Sequence, residues 1–286
     1  MSSEPVNAAG GPAHGAPDGG LPSPERTPLH AATEDTADSA RAATAAPSPS
    51  TDLAPVDARR KPLPDVPVRL GLYKPLRVMG RAVFRLVLDV RVGRRDVVPS
   101  SGPVLLAGNH RGILDAPLMV AFVPRPARFI AKSELFTGAL ARLLGWLGQI
   151  PIDRGRPDRE ALRKAIGVLR DGHVLGMFPE GTRGAGELTT MQHGIAYVAL
   201  RVPGVTIVPV ACLGTERALP KGSRLPRFRS RVDIVFGEPF TIAVPPNPRA
   251  RSAVAAAAEE IRVALASHVA ACERRLAEQH VRKASR

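Results

Sequence analysis

Short apolar runs alternate along most of the chain with longer stretches in which apolar residues stand three and four apart. The runs predict strands at 103–107, 127–131, 149–152, 173–178, 205–212 and 231–236. The periodic stretches predict helices at 114–122, 134–146 and about 192–201, with another opened by Pro157 and Asp158. That helix carries Leu162, Ile166 and Leu169 on one face and is closed by Gly172. From Arg249 to about His280 the chain is Ala-rich and reads as a tail helix packing on the core. Alternation at this spacing predicts an α/β fold: a layered domain with a mixed, largely parallel sheet flanked by helices.

Ahead of the first strand, residues 76–92 mix apolar residues with Arg77, Arg81, Arg85 and Arg91. On a helix, Arg77, Arg81 and Arg85 line one face, with Val78, Ala82 and Leu86 beside it. Such a helix suits a membrane surface, and it suits equally a solvated face on a helix packed against the domain. Residues 66–98 therefore form an amphipathic helical segment and a candidate membrane contact. The apolar stretch Leu135, Phe136, Leu140, Leu143, Leu144, Trp146 and Leu147 is also open to two readings, a core helix or a wall for an aliphatic chain.

Residues 1–65 break the pattern. They hold 11 of the 29 prolines and no Ile, Phe, Tyr or Trp. So little apolar surface cannot offset the entropy of ordering, and a disordered leader is expected there. Behind it the expected divisions are the helical segment, a core over 99–248 and the tail helix over 249–286. The leader has 5 Lys and Arg against 9 Asp and Glu, which leaves 35 basic and 17 acidic residues for the rest. The folded part thus favours a polyanionic surface such as an anionic membrane, although 34 of the 40 basic residues are Arg, a skew that codon composition alone can produce. With aromatics at 4%, stacking platforms are few and no nucleic-acid partner is expected. Cys212 and Cys272 have neither metal-ligand spacing nor the number for a disulfide scaffold. The chain has no apolar window of about 18 residues and no signal pattern at Met1-Ser2-Ser3-Glu4, so an intracellular protein without spans is expected.

Two segments carry chemistry. Asn109-His110-Arg111-Gly112-Ile113-Leu114-Asp115 follows a predicted strand directly. An imidazole accepts a proton near neutral pH, and a carboxylate five residues on can return across the turn to fix its tautomer. No Ser or Cys lies in the segment to act as nucleophile, so the base would activate a substrate hydroxyl directly. Taken singly, this spacing also fits a structural His. The second segment, Phe178-Pro179-Glu180-Gly181-Thr182-Arg183, ends another predicted strand. Gly181 permits an unusual turn, Thr182 offers a hydroxyl, and Arg183 offers a forked donor to phosphate. Arg154, after Ile150-Pro151-Ile152-Asp153, and Lys132 are further candidates for an anionic ligand, and Arg154 can instead pair with Asp153. Val208-Pro209-Val210-Ala211, ahead of Gly214-Thr215, reads as core packing under the site.

In this order and spacing the segments resemble the glycerolipid acyltransferase family, the lysophosphatidic acid acyltransferases, over residues 102–237. His110 and Asp115 match the family's catalytic His-x4-Asp, and Glu180, Gly181, Thr182 and Arg183 match the sequence assigned to the acceptor's phosphate. The resemblance implies acyl transfer from acyl-CoA or acyl carrier protein to 1-acyl-glycerol-3-phosphate, giving phosphatidic acid, with no metal and no bound cofactor. It implies a lysophospholipid acceptor as partner and peripheral attachment to the cytoplasmic face of the cell membrane. Two departures bear on the acceptor. Gly112 stands where many members have Ser, and Met191-Gln192-His193-Gly194 stands where many have a Phe-Lys pair before Gly. Another lysolipid, a lyso-aminolipid or glycerol 3-phosphate is the alternative acceptor. A non-catalytic basic protein binding anionic lipid or nucleic acid is the alternative class.

Overall fold

The computed structural model describes residues 70–153, 158–181, 188 and 191–285. Met1–Arg59 and Arg60–Arg286 separate as two units, and every described residue belongs to the second. In chain order its elements are α1 (Leu70–Val87), β1 (Asp89–Gly93), β2 (Val104–Gly108), α2 (Asp115–Phe122), β3 (Ala127–Lys132), α3 (Gly138–Trp146) and β4 (Ile150–Ile152). There follow α4 (Arg159–Arg170), β5 (Val174–Met177), α5 (Gly194–Ala199), β6 (Thr206–Leu213), α6 (Thr215–Ala218), β7 (Arg231–Phe236) and α7 (Arg251–Ala284).

The strands form one sheet in the order β1-β7-β6-β2-β5-β3-β4. Pairing is parallel throughout except between β6 and β7. The mixed, largely parallel layered sheet is therefore as the patterning indicates. β2 lies near its centre, buried at every position because both faces are covered. Alternate residues go to opposite sides. Leu105 and Ala107 join a core with residues of α4, α5 and α7, whereas Val104 and Leu106 join a core with Leu118, Met119 and Phe122 of α2. α4 starts where the Asp158 carboxylate accepts the Ala161 N–H at 3.0 Å, satisfying one orphan donor of its first turn. No helix among the described residues is long and apolar enough to cross a membrane.

Three expectations change. Residues 76–92 are not one helix, because α1 ends at Val87 and Asp89–Gly93 runs as an edge strand parallel to β7. The Val-Arg-Val alternation at 90–92 has a period of two, which a helical reading of the whole segment obscured. Two of the three arginines on the α1 face also turn inward, while Arg85 is exposed. Arg77 is buried and donates from Nη2 to the Val123 carbonyl, while Arg81 Nε donates to the Ala121 carbonyl at 2.6 Å. The two guanidinium groups thereby satisfy carbonyls at the end of α2 that have no partner within that helix. Solvent instead meets Val78, Met79, Val83 and Leu86, each more than half exposed.

The third change concerns residues 134–146. Ser133–Leu135 form a short 3-10 turn, Thr137 is extended, and the α-helix begins only at Gly138. Of α3, Ala141 alone is buried, so this helix is not a core helix despite its composition. Its leucines lie half-buried or exposed.

Candidate active site

Adjacent parallel strands deliver three turns to one edge of the sheet. β2 ends into Asn109-His110, β5 into Phe178-Pro179-Glu180-Gly181, and β6 into Gly214-Thr215. Loops at the C-terminal ends of strands are where open α/β sheets hold ligands. Asn109 fixes the first turn, donating from Nδ2 to the Cys212 carbonyl at 3.0 Å and accepting the Cys212 N–H at 2.7 Å. This pair of bonds ties the chain leaving β2 to the end of β6.

His110 Nδ1 lies 2.9 Å from Asp115 Oδ2. The same carboxylate oxygen accepts the N–H groups of Arg111 and Gly112, each at 2.8 Å, and the other accepts the Thr215 hydroxyl at 2.5 Å. Asp115 is wholly buried and every partner donates to it. With Asp115 accepting, Nδ1 carries the ring proton and Nε2 is left as the acceptor. The imidazole is packed as well as bonded. Its ring stacks on Phe178 with centroids 4.4 Å apart and planes 22° apart, and Phe178 in turn lies 5.8 Å from Phe129. The arrangement is a base held in one tautomer and one orientation, and it can remove a proton from a hydroxyl placed at Nε2.

Glu180 enters from the neighbouring turn and accepts the His110 N–H at 2.9 Å. Burial pushes its carboxyl above the usual glutamate value, partly offset by that N–H and by the charges of His110 and Arg111. Gly181 has φ of +68°, and a Cβ there would come within 2.8 Å of Gln192 Cγ. The Gln192 N–H also donates to the Pro179 carbonyl at 2.7 Å, so the segment 191–194 braces the Glu180 turn. Thr182, Arg183 and Arg154 lie outside the described residues. Lys132 ends β3 at the same edge of the sheet, but its ammonium pairs with Glu134 at 3.1 Å, both side chains being exposed. Among the described residues no three His, Cys, Asp or Glu side chains gather as metal ligands.

Residues 89–213 match the family model described as Acyltransferase. A 1-acyl-sn-glycerol-3-phosphate acyltransferase from Chlamydomonas reinhardtii is 31% identical over 166 residues, covering 56% of this chain and 47% of that protein. A lyso-ornithine lipid O-acyltransferase from Pseudomonas aeruginosa is 34% identical over 114 residues, covering 38% of this chain and 42% of that protein. The chain thus spans about half the length of such relatives. The crystal structure of the 1-acyl-sn-glycerophosphate acyltransferase PlsC from Thermotoga maritima superposes with a TM-score of 0.59 at 27% identity, covering 71% of this chain and 80% of that one. Over residues 89–213 the chain is thus an acyltransferase-family domain, similar to the glycerolipid acyltransferases.

Against the family pattern, Gly112 is explained by its neighbour. A Cβ there would lie 2.8 Å from Thr215 Oγ1 and 2.9 Å from the Thr215 carbonyl carbon, closer than packed atoms approach. The Ser that many members carry does not fit beside Thr215 as it stands. Thr215 itself escaped the sequence reading, which assigned its segment to core packing. Its distance of 100 residues from Asp115 hides the bond, and a hydroxyl two residues beyond a buried strand was the available signal. Phe178 and Asn109 flank the recognised residues and were passed over for the same reason, since their partners come from other strands.

Proposed function

We propose that the protein is an O-acyltransferase acting at a membrane surface. It moves a fatty acyl group from acyl-CoA or acyl carrier protein to the free hydroxyl of 1-acyl-glycerol-3-phosphate, giving phosphatidic acid. The observation that carries this reading is the buried His110–Asp115 pair at the edge of the central strands, 2.9 Å apart, with Nε2 free to accept. In the reaction Nε2 takes the proton of the acceptor hydroxyl as its oxygen attacks the thioester carbonyl. Asp115 offsets the positive charge that develops on the ring. The tetrahedral intermediate then collapses, the C–S bond breaks, and the thiolate leaves with the proton returned from His110.

The neighbouring residues have positioning roles. Thr182 and Arg183 hold the acceptor phosphate, with Arg154 and Lys132 contributing positive charge, and orientation of two substrates is a large part of the barrier. Glu180 and Gly181 stand in the turn that ends β5, directly ahead of Thr182 and Arg183 in sequence. The half-buried leucines of α3 offer apolar surface for the acyl chain. Attachment is to the cytoplasmic face of the cell membrane.

A second acceptor, a lyso-aminolipid, is favoured by one feature. The uncharged Gln192 occupies a position where many family members present a cation, and its backbone N–H holds the Glu180 turn. Thiol release from oleoyl-CoA, with lysophosphatidic acid, a lyso-aminolipid or no acceptor, tests both readings. Acceptor-dependent release by the wild type and its loss in His110→Ala is expected. Equal release by the variant would overturn the role of His110, and the preferred acceptor decides between the lipids.

A further inference from the structure

The segment between α6 and β7 combines features that its local fold does not use. Residues 219–230 carry four basic side chains, Lys221, Arg224, Arg227 and Arg229, and no acidic one. Interleaved with them are Leu225 and Phe228, 80% and 72% exposed. Two such large apolar groups in water on one short loop call for a partner that removes them from it. All four cations are exposed as well. The loop is nevertheless anchored at both ends. The Arg227 N–H donates to the Ala218 carbonyl and the Arg229 N–H to the Val87 carbonyl, each at 2.7 Å, with Arg229 held at a φ of +59°.

Topology puts this loop beside the reaction centre. It leaves the end of β6 just past Thr215, which bonds to Asp115. β7 runs antiparallel to β6 and begins at this same edge, and β1 is in register with it from Asp89. The last turn of α1, where Leu86 is 70% exposed, therefore ends at the edge that carries His110, and Ile113 of the His110 turn is also exposed there. Apolar side chains project from the α1 terminus, the His110 turn and the 219–230 loop at one edge of the sheet.

We propose that the 219–230 loop is a membrane anchor: Leu225 and Phe228 enter the interfacial region of an anionic bilayer while Lys221, Arg224, Arg227 and Arg229 meet its phosphates. The choice of a bilayer rests on the acyltransferase reading and on the loop's own composition. A nucleic acid would account for the four cations but gives an exposed leucine nothing to do, whereas an interface accepts apolar and cationic groups together. Docked in this way, the loop sets the His110 edge of the sheet against the surface from which a lysolipid arrives.

Vesicle co-sedimentation of the full chain tests the proposal, with phosphatidylcholine alone or mixed with phosphatidylglycerol. The variants are Leu225→Ser with Phe228→Ser, and Arg224→Gln with Arg227→Gln, each checked for native circular dichroism. Partition onto anionic vesicles is expected to fall about tenfold for the first pair by loss of apolar burial. For the second it should fall about thirtyfold, since each cation near an anionic surface contributes about fivefold. Wild-type partition in the apolar variant would overturn the anchor. So would competition by an oligonucleotide that depends on the arginines alone, which would assign the loop to nucleic acid. A parallel assay uses a short-chain lysophosphatidic acid dispersed as monomers, and both variants should release thiol there like the wild type. If the wild type fails in that assay with lysophosphatidic acid and with a lyso-aminolipid alike while vesicle binding remains loop-dependent, the acyltransferase reading falls and the anchor stands.

Discussion

The turn at the end of β2 and the rim around it invert the ordinary distribution of side chains. Within the turn a carboxylate is wholly buried, yet four donors reach it: His110 Nδ1, two backbone N–H groups and the Thr215 hydroxyl. On the rim Leu86, Leu225 and Phe228 are each at least 70% exposed. A buried charge is tolerated only where it is bonded on all sides, and exposed apolar groups persist where something other than stability retains them. Both departures occur at the same edge of the sheet. On the proposed reading, the inside of that edge serves proton transfer and the outside contact with a lipid phase. Perturbing the two sides separately should therefore give opposite signatures, loss of chemistry without loss of docking and the reverse.

The largest effect is expected from Asp115→Asn. The amide keeps the size of the carboxylate and one oxygen for the N–H groups of Arg111 and Gly112 and for His110 Nδ1, with its NH2 turned to the Thr215 hydroxyl, but it removes the negative charge that offsets the imidazolium. Acyl transfer should fall about a thousandfold, within the range of losing an oriented base. Single-turnover thiol release measures it, and vesicle partition should be unchanged. A variant that keeps wild-type turnover would break the distinction between the buried and exposed sides, because the buried charge would then be structural.

Thr215→Val is a finer probe of the same side. The substitution preserves volume and removes only the hydroxyl on Asp115 Oδ1, leaving that oxygen buried without its donor. A hydrogen bond to a buried charge contributes about 1.5–3 kcal/mol, so a loss of about tenfold to a hundredfold is expected. A positioning role places the loss in kcat, with the acceptor KM unchanged and activity restored by Thr215→Ser. A role confined to packing would instead lower the melting temperature and spare kcat.

These residues also show how far the sequence could be read. His110 and Asp115 are five apart, so one turn brings them together and the pattern exposes the pair. Glu180 was placed through its own short segment, although its bond to the His110 N–H spans 70 residues. Thr215 and Asn109 owe their roles to strands brought together by the sheet, and the local signal, a polar residue just past a buried strand, does not name the partner. The α1 arginines teach the converse. Periodicity located a face of like residues correctly but could not say which way it turned, because the open carbonyls that draw Arg77 and Arg81 inward belong to α2. β1 was lost because an edge strand is defined by its partner, and β7 lies far along the chain. For α3 the composition announced burial, but its surroundings bury only Ala141 and leave the rest half-buried or exposed.

The smallest expected effect is on stability and concerns Glu180, half-buried beside the His110 turn. Its carboxyl is raised above the ordinary glutamate value chiefly by burial, with the His110 N–H pulling the other way. The folded protein therefore holds that proton more tightly than the unfolded chain does. As pH rises from the ordinary glutamate value through the folded one, the unfolded state binds fewer protons than the folded state, and stability falls. Above that window the full cost of the buried charge is present. Glu180→Gln keeps an oxygen for the His110 N–H and removes the charge. It should raise the melting temperature at neutral pH by about 1–2 °C, a gain that disappears in acid below the ordinary glutamate range. A gain that does not vary with pH would place its origin in packing. If the charge is retained because it steadies the imidazolium formed beside it, the stabilised variant should also turn over more slowly by a few fold. Stability and rate moving in opposite directions would show that the protein carries this carboxylate for its chemistry.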